Sequence, residues 1–384
     1  MISPPRRART EPARTRAGKT PRYGREMTSS EPDVLVIGAG VSGLTTAVCM
    51  AEAGVRVTIS AARPPAQTTS AAAGAIWAPH LVGLDDRVAR WGAATLARLL
   101  DLVTEPAAGV REVAGRQASR VKADPPDWVT ALGGFRLCTD GELPAGFAAG
   151  WRFAAPVVTM PVYLAYLLAR FRAAGGRLAA ARDSAFGSLP EAASRTSARV
   201  IVNCAGIGAR DLVPDRELMP VRGQVVVAAN PGLTEFFIGL ADESADLTYV
   251  FPHGDTVVLG GTEGRGDWSL EPDPATAERI LRDCAAIEPG LRGARVVAHR
   301  VGLRPVRPMV RLEAGRLPGG QAIVHNYGHG GAGVSLSWGC AADTAELALG
   351  ALGTAPRSTA PRSTAPRSTA PRPAAPRSAA PGYP

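Results

Sequence analysis

Cysteine is scarce in this chain: Cys49, Cys138, Cys204, Cys284 and Cys340 stand singly along 384 residues. The total is odd and no C-x-x-C occurs, which excludes a disulfide framework and a zinc ribbon and points to buried free thiols in a reducing cytoplasm. Surplus charge is missing where nucleic acid would need it. The formal net charge is +9, but residues 1–30 hold eight Lys/Arg against Glu11 and Glu26, a surplus of +6, and five arginines after residue 354 add +5. The stretch between them is left at −2, so the basic balance belongs to solvated tails and not to a nucleic-acid footprint. A serine nucleophile lacks its elbow, since no G-x-S-x-G is present. Residues 34–51 run for eighteen residues without a charge behind a basic leader, the outline of a signal peptide or membrane span. Glu31 and Asp33 directly before the run, and glycine spacings that another motif explains, argue for no membrane segment.

What is present is a globular body between two low-complexity ends. The apolar content is 46% and the length favours two domains or one large α/β body. From Ala355 the unit APRST recurs, and a proline at every fifth position forbids a helix, so 351–384 is expected to be disordered. The Pro/Arg-rich leader, 1–30, reads the same way, with Met27 as a candidate start. Between them DVLVIGAG is a buried strand ending in a glycine turn, VSGLTTAVCMAEAG a helix closed by Gly54, and VRVTIS a second strand. MPVYLAYLLARFRAAGG predicts an amphipathic helix with Pro161 at its start, followed by a short strand, and ARVIVNCAGIG a further buried strand running into a glycine turn. RGQVVVAA and a YVFPHGDTVVLGG hairpin suggest a more antiparallel layer, and QAIVHNY a strand that leads into HNYGHGGAGVSLSWG and a final helix.

Gly38-Ala39-Gly40-Val41-Ser42-Gly43 follows a strand and opens a helix, the context that a dinucleotide fingerprint requires. Gly38 allows the tight turn, Gly40 lets backbone approach a pyrophosphate at the helix N-terminus, and Gly43 lets helix and strand pack closely. The acidic residue expected about twenty positions on is absent. Arg63 stands there as a candidate for phosphate or adenine contact, against the alternative of a solvated surface arginine. Thr68 to His80, TTSAAAGAIWAPH, is poor in side-chain bulk before Trp77 and would let a planar ligand touch backbone. His325 and His329 suggest a metal pair at i, i+4, but Gly328, Gly330 and Gly331 forbid the helix that such a pair needs and no partnering Cys or carboxylate is near. No metal is expected.

The fingerprint, AAAGAIWAPH, VNCAGIGARDL, PVRGQVV, TYVFPHGDTVVLGG, GLRPVRPMVRLE and HNYGHGGAGVSLSWG come in an order that resembles the D-amino-acid oxidase family over residues 33–350. The resemblance implies an α/β fold in which a Rossmann-like, glutathione-reductase-like FAD-binding domain (segments about 31–85, 155–215 and 300–350) interleaves with a mostly antiparallel β substrate domain (about 86–154 and 216–299). It implies oxidative deamination of neutral D-amino acids to 2-oxo acids and ammonia, with FAD as cofactor. The partners implied are a D-amino acid and O2, with neither nucleic acid nor membrane; a homodimer is the candidate assembly.

By the same resemblance Arg304 clamps the substrate carboxylate and borders the cofactor, Tyr249 contacts that carboxylate, and Arg307 is structural. A bidentate guanidinium suits the clamp. Gly330, Gly331 and Gly333 would approach the flavin and the substrate amine through backbone, with Gly331 in substrate contact and Val334 and Ser335 beside the flavin. Thr68, Thr69, Ala73, Gly74, Ala75, Asp183, Ala205 and Gly206 complete the implied cofactor set. Two departures stand out: Ala245, in a lid-like loop 239–247 where animal relatives carry a second tyrosine, and Ala78, at a position polar in the family. The rival readings are a glycine or D-aspartate oxidase, the latter needing a further cation for which Arg222 is the candidate, and a non-catalytic FAD-binding scaffold.

Overall fold

A computed structural model describes residues 31–83, 85–179, 185–240 and 247–353. The leader, the APRST tail, Asp183 and Ala245 lie outside the described residues, as does most of the loop 239–247. The strands are β1 (Val34–Ile37), β2 (Val57–Ser60), β3 (Val110–Ser119), β4 (Arg136–Leu137), β5 (Ala149–Val158), β6 (Arg177–Leu178) and β7 (Val200–Asn203), then β8 (Met219–Ala229), β9 (Phe236–Leu240), β10 (Thr248–His253), β11 (Thr256–Gly260), β12 (Gly264–Arg265), β13 (Val296–Arg316) and β14 (Ala322–His329). They form one sheet in the order β4-β5-β3-β9-β10-β11-β8-β13-β14-β7-β1-β2-β6, with β12 beside β8.

From β14 to β6 every pairing is parallel. VLVI and VIVN are wholly buried, the continuous apolar runs of strands covered on both faces. The helix Val41–Glu52 joins β1 to β2, completing the βαβ unit read from the glycines, and stops one residue before Ala53, followed by Gly54 at φ +87°. Helix Met160–Ala173 begins with Pro161, whose missing N–H costs nothing in the first turn, and carries Arg170 and Arg172 in its last turn, against the negative helix end. From β13 to β4 every pairing but β3 with β9 is antiparallel. The hairpin β10–β11 turns at Gly254, φ +75°.

β13, like β3, β5 and the helix Asp86–Leu102, is an element that sequence reading leaves unassigned. Pro305 and Pro308 interrupt any run of strand donors, yet the chain stays extended over 21 residues because its register against β14 shifts between Val306 and Arg311. The helix Gly333–Leu352 leaves β14, and Gly339 lets it ride on the helix Asp86–Leu102: a Cβ there would lie 2.4 Å from the Trp91 backbone. Leu44, Met50, Ile59, Leu99, Phe153 and Phe171 are fully buried, each contributing roughly 1.5–3 kcal/mol of apolar burial. Among the described residues no helix is long and apolar enough to cross a membrane.

Candidate active site

A cavity of about 840 Å³ opens where the parallel strands end and extends beneath β8, β9, β10 and β13. Gly38 to Ser42 line it, as do Arg63, Thr68, Thr69, Ala73 to Ala75, Ala205, Gly206, Gly330, Gly331, Gly333, Val334, Arg304 and Tyr249. The structure thus gathers residues from five distant parts of the chain. Two expected members stand off the wall. Gly43 serves packing alone, since a Cβ there would lie 2.0 Å from the Gly38 carbonyl oxygen. Ser335 is spent on Ala78, accepting from its N–H at 3.0 Å and donating to its carbonyl at 2.8 Å. That exchange ties the start of the last helix to the AAAGAIWAPH segment.

The cofactor end is made of backbone and small side chains. Gly38 has φ +112°, and a Cβ would meet the Cys204 carbonyl oxygen at 2.3 Å, so β1, β7 and the first helix converge more closely than any side chain permits. The Val41 amide, the first donor of that helix, is held by Ser70 Oγ at 3.0 Å. Ser70 also lines the cavity and was not singled out in the sequence, where it reads as one more small residue. In HNYGHGGAG the glycines divide by role. Gly330 (φ +55°) and Gly331 are required by the chain that crosses them, the Leu81 carbonyl oxygen and His80 ring falling 1.8 Å and 2.4 Å from their Cβ positions. Gly333 meets nothing closer than 4.0 Å and leaves its space to the cavity. Two helix N-termini, small residues between them and Arg63 at the rim suit a phosphate-bearing dinucleotide with a planar ring.

The histidines of the motif are buried groups, of which His329 also lines the cavity, 3.5 Å from Ser42 Oγ. Both sit on strand β14, His325 within 3.4 Å of Asn203 Nδ2, and His329 paired with Asn326 Oδ1 at 3.0 Å. Burial pushes the pKa of each down to about 4, leaving both neutral near pH 7. Among the described residues no cluster of three or more His, Cys, Asp or Glu is placed to hold a metal. His253, also pushed down to about 4 by burial, links Thr159 Oγ1 (3.0 Å) to the Gly74 carbonyl (2.9 Å) and so fixes the cavity wall at Gly74.

At the other end Arg304 and Tyr249 face the same space. Arg304 Nη1 donates to the Thr262 carbonyl at 2.8 Å, and its guanidinium lies over Gly223, where a Cβ would come within 2.6 Å of it. Tyr249 stacks on Phe251 at 4.5 Å, and its ring covers Gly260 and Gly261. Burial raises the pKa of its hydroxyl, opposed by the charge of Arg304, so the phenol keeps its proton near neutrality. Arg307 is turned away, bound to Asp215 at 3.1 Å and to Glu217. Arg222 is buried and taken by the Ser269 and Glu271 carbonyls and Gln224 Oε1, so it does not reach the cavity. Sequence reading missed His80, Gln117, Trp128, Ile238 and Leu240, which line the same end. His80 pairs with Glu263 at 3.2 Å. Burial opposes the charge of Glu263, but His80 and the fields of Arg304 and Arg265 leave its pKa lowered.

Similarity to known proteins agrees with this geometry. A D-amino-acid oxidase of Rubrobacter xylanophilus is 51% identical over 319 residues, covering 83% of this chain and 96% of that protein. The D-aspartate oxidase of Homo sapiens is 35% identical over 333 residues, covering 82% and 94%. A glycine oxidase structure from Geobacillus kaustophilus superposes with a TM-score of 0.67 at 18% identity, over 83% of this chain and 95% of that one, a likeness of fold. The family model for FAD dependent oxidoreductases matches residues 33–347, and with the glycine turns converging on one cavity the chain belongs to that family.

Proposed function

We propose that this protein oxidises neutral D-amino acids to imino acids, which hydrolyse to 2-oxo acids and ammonia. The convergence of Arg304 and Tyr249 at one end of a cavity whose other end suits FAD carries the reading. When bound, FAD supplies the two-electron acceptor, and O2 regenerates it with release of H2O2. The chain's own residues have a positioning task. Arg304 offers its remaining N–H donors to the substrate carboxylate as a fork, and the protonated phenol of Tyr249 adds a further donor. Held there, the substrate presents its α-carbon to the cavity's interior, and apolar walls from Ile238, Leu240 and Trp128 exclude water. The peptide geometry at Gly330 and Gly331, braced by the Gly330 amide on the Pro305 carbonyl at 2.9 Å, keeps the cofactor end in register with the clamp.

The same reading assigns FAD contacts to Gly38–Ser42, Arg63, Thr68, Thr69, Ala73–Ala75, Ala205, Gly206, Gly330, Gly333 and Val334, which their place on the cavity wall supports. It divides the chain into FAD-binding segments about 31–85, 155–215 and 300–350 and substrate segments about 86–154 and 216–299, a division supported by the change from parallel to antiparallel pairing at β13. Neutral substrates are favoured over acidic ones because Arg222 is already engaged. A cytoplasmic location is supported by free thiols, of which Cys204 and Cys284 are pushed up to about 12 by burial. A homodimer is the assembly proposed, read by light scattering of the purified protein.

The test is anaerobic. Flavin absorbance that bleaches with D-alanine and not with L-alanine supports the oxidase. A yellow protein indifferent to every D-amino acid refutes it, and a preference for D-aspartate or glycine selects a sibling activity.

A further inference from the structure

We infer that Gln117 reads the substrate's side chain and favours D-amino acids that end in a neutral hydrogen-bonding group such as a carboxamide; the inference rests on the oxidase reading above. Strand register places the residue. Gln117 on β3 is opposite Ile238 on β9, and Ile238 is opposite Tyr249 on β10. The three form one row across adjacent strands, and all three line the cavity. Strands lie about 4.8 Å apart, so the Gln117 backbone is roughly 10 Å from that of Tyr249. A substrate whose carboxylate is held by Tyr249 and Arg304 extends its side chain over Ile238 toward Gln117, a gap that a few bonds of about 1.5 Å each close once the glutamine's own length is counted.

The chemistry at the far end of the row is unusual. Gln117 is only 4% exposed, and its Oε1 is buried with no hydrogen-bond partner among the described residues. Buried carboxamides ordinarily have partners, and an orphaned carbonyl is costly. The next row is closed, because the Phe236 ring lies 2.4 Å from where a Cβ of Gly115 would be. Ile238, beside Gln117 on β9, and Leu240 and Trp128 give the same cavity apolar wall, so among the described residues of this end Gln117 brings an amide for a ligand's side chain to meet. A carboxamide offers both donors and an acceptor, which suits a neutral polar partner and does not compensate a full charge. A site built to hydrogen-bond discriminates strongly against analogues that lack the group.

One competing assignment is internal. Trp151 stands opposite Gln117 on β5, and its Nε1 is likewise buried without a partner, so the carboxamide could serve the indole and not a ligand. The experiment separates the two with FAD-loaded wild type, Gln117→Leu and Trp151→Phe, measuring kcat/KM for D-glutamine and for D-methionine, side chains of similar length with and without the amide. The expected result is a fall of roughly 10- to 100-fold in the D-glutamine to D-methionine ratio for Gln117→Leu, and a smaller change for Trp151→Phe. Where the leucine variant fails to hold FAD, Gln117→Met gives the same readout at unchanged length. A ratio unchanged in the Gln117 variants overturns the inference, as does a shift in Trp151→Phe equal to theirs. Failure of wild type to reduce its flavin with any D-amino acid is a separate result, and it removes the oxidase reading itself.

Discussion

Gly223→Ala tests the proposed carboxylate clamp without replacing its arginine. Gly223 is buried on β8 opposite Gly302 of β13, in ordinary extended backbone. A Cβ added there falls 2.6 Å from Cζ, Nη1 and Nη2 of Arg304 alike, well inside the 3.4 Å at which ordinary contact begins. The guanidinium must therefore shift by about 1 Å, and since it is the end of a flexible side chain the strands themselves need not move. A misplacement of that size costs on the order of 100-fold in rate, or about 2.7 kcal/mol of transition-state stabilisation. Rapid-mixing reduction of the flavin by D-alanine under anaerobic conditions reads the loss directly. FAD content and melting temperature should stay near the parent values, because the added methyl lies at the substrate end. Arg304→Ala should lose at least as much while keeping FAD. Parent-like reduction kinetics in Gly223→Ala, with the flavin spectrum intact, would refute the placement of Arg304 as the clamp.

Two further outcomes follow from backbone and burial. Gly38→Ala puts a side chain at φ +112° and 2.3 Å from the Cys204 carbonyl oxygen, so it should cost about 2 kcal/mol or more and release FAD; purified protein that keeps its flavin colour and melting temperature would contradict this. His253, His325 and His329 have folded pKa values of about 4, below the unfolded value near 6.5. Between those values the unfolded chain binds more protons, so stability is present above pH 6.5 and is lost as pH falls toward 4. From pH 6.5 to 5.5 each histidine removes about 1 kcal/mol, roughly 3 kcal/mol together, and a melting temperature unchanged over that interval would show that they are not buried neutral.

The legibility of the sequence varied with the range of the interactions involved. Gly38, Gly40 and Gly43 announce their turn because strand, turn and helix are contiguous, and the observed β1, helix and β2 fall within the stretches DVLVIGAG, VSGLTTAVCMAEAG and VRVTIS. The hairpin β10–β11 was legible for the same reason. β13 was not, since prolines within a strand look like loop signals until the shifted register is seen. Arg304 and Tyr249 were found through family resemblance, and their shared cavity is a product of sheet order. Gln117 was invisible: its meaning depends on the parallel pairing of β3 with β9, more than a hundred residues away. Ser335 shows the reverse case, a residue expected to face the flavin that the fold instead uses to fasten Ala78.

β13 pairs with β8 on one side and β14 on the other, and Pro305, one residue past Arg304, receives the Gly330 amide. The proposed carboxylate anchor and the carbonyl that braces the Gly330 turn are thus neighbouring marks on one extended beam. Such an arrangement works as a gauge. On the proposed oxidase reading it would set how far the α-carbon stands from the electron acceptor before any substrate arrives, and would sort a molecule by whether its length beyond the α-carbon fits the remaining span. Selection of this kind needs no closing movement of one half of the sheet on the other.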